Sequence, residues 1–156
     1  MSYIFYISIE KRQSEYSGEV QVSLSQGQYK LSTQNAIYSF GKNYTSFDVA
    51  FKSLDIQHQP IEKVLVLGFG LGSVVDLLES HPVIKEVTAV DADAVIMDLA
   101  KKYLQSSLKS KTVFIGDDAV KYVNNTHQVF DLVLFDVFIQ DETPMPFMQK
   151  DFLLAL

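Results

Sequence analysis

Residues 64–73 read Val64-Leu65-Val66-Leu67-Gly68-Phe69-Gly70-Leu71-Gly72-Ser73, an apolar run that ends in three glycines at alternate positions. A short unbroken apolar run is the pattern of a strand buried on both faces. Gly68 permits a tight turn out of that strand, and Gly70 lets a ligand approach the backbone without meeting a Cβ. Gly72 completes the passage into a helical pattern over residues 73–80. A strand, a glycine turn and a helix in this order make Gly68, Gly70 and Gly72 candidate cofactor-binding positions.

Working outward, further apolar runs occur at 87–90, 113–115 and 132–135. Helix-period segments separate them at 93–104 and 118–123. Ile96, Leu99, Ala100, Tyr103 and Leu104 fall on one stripe of the first of these, Asp93 is its expected N-cap, and Lys101 and Lys102 sit at the negative end of its dipole. Alternating strands and helices, with right-handed crossovers, predict an α/β fold with a doubly wound, mostly parallel sheet.

Before residue 59 the character is different. Residues 3–9 are aromatic and β-branched, and Val20, Val22 and Leu24 alternate with polar neighbours, so one face of a strand is buried. A turn at residues 25–28 and a return at 29–32 predict a hairpin, with another short strand near 36–40 and a helical stretch at 45–54. The expected division is an N-terminal β-hairpin region at 1–58 and an α/β domain at 59–156.

Acidic residues stand at the ends of the predicted parallel strands. Asp91 closes the second, where a carboxylate can accept hydrogen bonds from both hydroxyls of a ribose. Asp117 and Asp118 follow the third. One can accept from the exocyclic amine of an adenine while its neighbour caps the next helix, and Asp117 is the choice for the base contact. Asp136 follows the fourth strand, at the edge where open α/β sheets bind ligands, and is the candidate catalytic base. Tyr38 and Tyr44 are further candidates for the acceptor side, although hairpin aromatics are more often packing residues.

The 156 residues carry a formal charge of −6 and are 47% hydrophobic, which argues for one folded unit and against gripping a phosphate backbone. No nucleic-acid or membrane partner is expected, and a cytoplasmic location is the default reading. There is no cysteine, so thiol nucleophiles and Cys-ligated metal are excluded. His58, His81 and His127 show no ligand spacing and are expected on the surface. No metal site is expected.

The segments VLVLGFGLGS (64–73), VTAVDADAVIMDLAKKYL (87–104), GDDA (116–119) and FDLVLFDVF (130–138) resemble the spermidine synthase family and its class I methyltransferase relatives. The resemblance implies a Rossmann-like sheet of the class I methyltransferase fold, C-terminally short here and preceded by β-hairpins. It also implies that Gly68, Gly70, Gly72, Asp91, Asp117 and Asp118 hold an S-adenosyl ligand. Three departures fall on the aminopropyl side. Leu71 stands where the family's glycine turn carries an Asp, Ile139 stands at the second acid of a D-x-x-D run begun by Asp136, with Asp141 two residues on, and Phe47 and Asp48 are the nearest occupants of a Tyr-His-Glu-like element.

These departures favour S-adenosyl-L-methionine as the cofactor and methyl transfer to a small-molecule acceptor. Aminopropyl transfer from decarboxylated S-adenosylmethionine is the alternative, followed by a non-catalytic S-adenosyl-binding module and a nicotinamide dehydrogenase. The apolar fourth strand, left at an edge, predicts a homo-oligomer.

Overall fold

The computed structural model describes residues 6–79, 81–138 and 144–156. Residues 1–5, Ile139 and Asp141 lie outside the described residues. The N-terminal part is an antiparallel sheet of β1 (Tyr6–Ser14), β2 (Gly18–Ser25), β3 (Gln28–Ser32) and β4 (Ile37–Ser39), paired in chain order. Gln26 and Gly27 connect β2 to β3 with φ of 53° and 76°. Positive φ at both central residues is the two-residue turn whose twist suits a hairpin. β1 runs five residues past the apolar stretch that suggested it. Glu10 to Ser14 are polar and give no alternation, yet each pairs with β2 from Glu10↔Val22 to Ser14↔Gly18.

A single helical turn and a half, α1 (Asp48–Ser53), leads to the second sheet. There β5 (Lys63–Leu67), β6 (Glu86–Asp91), β7 (Thr112–Gly116) and β8 (Leu132–Phe135) are all parallel, in the order β7-β6-β5-β8. The connecting helices are α2 (Ser73–Leu78), α3 (Ala94–Tyr103) and α4 (Ala119–Asn125), and α5 (Lys150–Ala155) follows β8. Strand order reverses between β5 and β8, so the chain leaves β5 for one side of the sheet and returns on the other. That reversal opens a crevice at the carboxyl ends of these two strands.

Alternation along β5 shows how both faces are covered. Val64 and Val66 pack with Val75 and Leu78 of α2 and Met97 and Ala100 of α3. Leu65 and Leu67 pack on the opposite face with Ala119 and Val123 of α4 and Phe152 of α5. Full burial of such side chains contributes about 1.5–3 kcal/mol each. Phe47, Phe51 and Ile56, all ahead of residue 59, join the first of these layers. β8 is the outer strand on its side of the sheet, and Val129, Met148 and Leu154 nearby are exposed.

The antiparallel sheet is fastened to α3. Val20, Val22 and Leu31 are fully buried against Leu99 and Tyr103. Glu10 accepts from Lys102 Nζ (2.8 Å) and the Tyr103 hydroxyl (2.7 Å), and these donors, with Arg12, hold its carboxyl well below the ordinary range. A buried pair, Ser39 and Ser73, joins β4 to the start of α2 at 2.5 Å. Among the described residues no helix is long and apolar enough to cross a membrane.

His81 departs from its expected surface position. It is 5% exposed, and one ring nitrogen (Nε2) lies 2.9 Å from the carbonyl oxygen of Gln59, ahead of β5. Its place after the helical run concealed this, because the contact that buries it comes from 22 residues away.

Asp76 on α2 is half-buried, and desolvation, with Glu79 one turn on, raises its pKa from 3.8 to about 6 while Lys42 opposes the shift. A carboxyl whose folded pKa lies above its unfolded value binds more protons in the folded state. Stability therefore falls as pH rises from about 4 to 6. Asp76→Asn should raise stability at pH 7.5 by about 1 kcal/mol, after allowance for solvent screening, and leave it unchanged at pH 4. Urea unfolding of both proteins at the two pH values checks this, and equal midpoints at pH 7.5 would contradict it.

Candidate active site

Gly68, Gly70 and Gly72 adopt φ of 78°, 55° and 85°, all in the left-handed region. At Gly68 a Cβ would collide with the backbone carbonyl of Asp136 and approach the Val137 nitrogen to 2.9 Å. The end of β8 thus presses directly on the end of β5. At Gly70 a Cβ would lie 2.9 Å from the Tyr38 carbonyl oxygen, so the close approach first demanded there comes from the N-terminal sheet. Gly72 faces Leu104 and the Phe69 ring and lies outside the cleft lining, where its conformation serves the entry into α2.

The crevice at the strand reversal is a cleft of about 900 Å³, open to solvent. Gly68, Gly70, Asp91, Asp118 and Asp136 all line it, as do Tyr38 and Tyr44. Asp117 does not. Its carboxylate accepts from the Asp118 amide at 2.9 Å and lies 3.3 Å from Lys121 Nζ.

Asp91, at the last position of β6, is bound by the backbone on both sides. Oδ2 accepts from Phe69 N in the glycine turn (3.0 Å) and Oδ1 from Asp93 N (2.9 Å). Burial raises its pKa, and those backbone donors oppose the rise. A carboxylate has about four lone-pair directions, so Asp91 can accept a further donor beside its backbone partners, which suits a ribose hydroxyl. Asp118 caps α4 by accepting from Lys121 N at 2.9 Å and keeps one side toward the cleft.

Asp136 follows β8, where its amide extends the ladder by donating to Leu67 O at 2.8 Å. Burial pushes its pKa up, and the Tyr44 hydroxyl, donating to Oδ2 at 3.1 Å, works against that. Desolvation likewise raises the Tyr44 pKa. Tyr44 therefore does more than pack. Phe47 packs against Phe51 with ring centroids 6.1 Å apart, and Asp48 opens α1, so neither lines the cleft.

Sequence reasoning missed Tyr16 and Ser17 in the β1–β2 turn, Ile37 of β4, and Phe147. Their places depend on contacts between distant segments. Among the described lining residues the charged side chains are Asp91, Asp93, Asp118 and Asp136, all acidic. Such a cleft attracts cations and repels anions.

A spermine/spermidine synthase domain model matches residues 20–154. The chain belongs to that family. It is 38% identical over 100 residues to the polyamine aminopropyltransferase of Sulfurisphaera tokodaii, a match that covers 58% of this chain and 33% of that protein. Spermidine synthase from Thermotoga maritima superposes with a TM-score of 0.71 at 17% identity, covering 96% of this chain and 52% of that one. A probable spermidine synthase from Corynebacterium glutamicum gives 0.74 at 17% identity, covering 94% and 58%. At that identity the likeness shows the Rossmann-like fold. The chain spans about a third of the length of the curated relative and about half that of the solved structures.

These findings overturn methyl transfer as the leading expectation. The matched family and relatives are aminopropyl-transferring, and one of the departures set against that reading has a structural explanation. Leu71 is 5% exposed and packs with Val20, Val22 and Leu99 between the hairpin sheet and α3, so it does not face the cleft.

Two outcomes check this geometry. Gly68→Ala should lose about 2–4 kcal/mol of stability through strain and overpacking against Asp136; an unchanged denaturation midpoint would contradict the contact. In Tyr44→Phe the Asp136 carboxyl pKa should rise further, since a donor to its charged form is gone. Carboxyl-detected NMR titration reads this directly, and a fall or no change would contradict the assignment.

Proposed function

We propose that the cleft transfers an aminopropyl group from decarboxylated S-adenosylmethionine to a small-molecule amine. The observation that carries this reading is the exclusively acidic charge of the described cleft lining, beside a glycine turn and a ribose-type carboxylate. The donor carries a sulfonium and an ammonium, and the acceptor amines are cations, so both meet the charge they need. S-adenosylmethionine itself would bring a carboxylate into the same acidic surroundings. A dinucleotide would bring two phosphates.

In this reading Asp91 takes the ribose, and Asp118 takes the adenine side. Gly68 and Gly70 set the turn beneath the ligand. The acceptor ammonium first gives a proton to Asp136, which frees its lone pair, and the nitrogen then forms a bond to the aminopropyl carbon attached to sulfur. The carbon–sulfur bond breaks, and its electron pair stays on sulfur as a neutral thioether. A sulfonium is already a good leaving group, so orientation and exclusion of water matter more than acid assistance. Asp136 is suited to the base role because burial moves its pKa up towards working pH.

The test is turnover with each donor and a diamine, with products separated by chromatography. Decarboxylated S-adenosylmethionine should yield methylthioadenosine and an aminopropylated amine. Asp136→Asn should lower kcat by about 10²–10⁴-fold while donor affinity stays within a few-fold. No product from the decarboxylated donor, or an unimpaired variant, would contradict the proposal.

A further inference from the structure

The β1–β2 turn forms a wall of the cleft through one buried hydroxyl. Ser14 is 4% exposed, and its Oγ accepts from Tyr16 N at 3.0 Å and from Ser17 N at 2.9 Å, which closes the turn. The same hydroxyl donates to Oδ2 of Asp93, 79 residues away in sequence. The other Asp93 oxygen caps α3 by accepting from Val95 N (3.0 Å) and Ile96 N (3.3 Å). Asp93 N in turn donates to Oδ1 of Asp91. One continuous hydrogen-bond chain therefore runs from the hairpin turn, through the start of α3, to the carboxylate at the end of β6.

Further along the hairpin, Glu10 is tied to Lys102 and Tyr103, and Arg12 lies 3.7 Å from Asp98, so β1 is fixed along the length of α3. The turn is thus tied to α3 through β1. Tyr16 lines the cleft yet remains 53% exposed, so core burial does not account for an aromatic residue there. An aromatic face presented beside a ribose-type carboxylate suits a nucleoside, since every base offers a π-face and aromatic rings pack well on sugars and bases alike.

We propose that Tyr16 is a binding residue for the nucleoside of the donor, and that Ser14, acting through Asp93, is the residue that positions it. This rests on the aminopropyl-transfer reading of the same cleft. The turn serves the donor and not the acceptor because of where it docks. It is tied to the carboxyl end of β6, whereas Asp136 and Tyr44 meet at the end of β8, with β5 between them. Two strand spacings, about 10 Å, separate those ends.

The test compares the wild type with Tyr16→Phe, Tyr16→Ala and Ser14→Ala. Calorimetric binding of 5′-methylthioadenosine, which lacks the aminopropyl group, is measured beside the KM for the amine. Tyr16→Ala should bind methylthioadenosine about tenfold more weakly, the size of one lost aromatic contact to a base, while Tyr16→Phe stays within about twofold. The amine KM should not change, and the thermal midpoint of Tyr16→Ala should stay near that of the wild type because the side chain is half exposed. Ser14→Ala should weaken methylthioadenosine in the same direction. Wild-type affinity in Tyr16→Ala, or a raised amine KM with nucleoside affinity intact, would overturn this proposal alone. Failure of the wild type to bind methylthioadenosine would overturn it together with the transfer reading.

Discussion

The carboxylate of Asp91 is where the two halves of the candidate site depend on each other. It is desolvated at the end of a buried strand, and its backbone partners come from the glycine turn on one side and the start of α3 on the other. A buried carboxylate without donors would be costly, so the fold must bring those amides to it. The left-handed glycines let the turn do so, and the packing of α3 against the N-terminal sheet fixes the other side. Loss of this carboxylate would loosen the turn and the helix start together.

The architecture carrying it follows from the strand order. Reversal between β5 and β8 puts Gly68 against the backbone of Asp136, and that contact draws the candidate base to the same crevice as the glycine turn. The N-terminal sheet supplies the remaining walls. It contributes Tyr38 and Tyr44 from the segment around β4 and Tyr16 and Ser17 from the β1–β2 turn, and its own stability rests on Val20, Val22 and Leu31 packing on α3. The hairpins, expected from sequence as a region apart from the α/β domain, are thus part of the cleft.

What was legible in the sequence was local. The run 64–67 became a strand buried on both faces because its residues are apolar at every position, and Asp93 capped α3 because a short acid before an amphipathic run has few other uses. Long-range relations were not legible. Residues 10–14 pair as a strand without any apolar alternation, because the partner strand supplies the pattern. His81 is buried by a distant carbonyl. Leu71 was read by position in a motif as a missing acid facing ligand, whereas the left-handed turn directs it into the core against Val20 and Val22. Gly72 and Asp117 belong to the same motifs as the lining residues, but they lie outside the lining and their partners are neighbouring protein groups.

We propose that an acidic cleft organised by Asp91 selects a cationic, decarboxylated nucleoside. Calorimetric titration of the protein with S-adenosylmethionine, decarboxylated S-adenosylmethionine and NAD in parallel, with Asp91→Ala as control, tests it most directly. The decarboxylated ligand should bind tightest, NAD should show no measurable binding, and the variant should lose the preferred ligand. Preference for the carboxylated ligand, or unchanged affinity in Asp91→Ala, would contradict it.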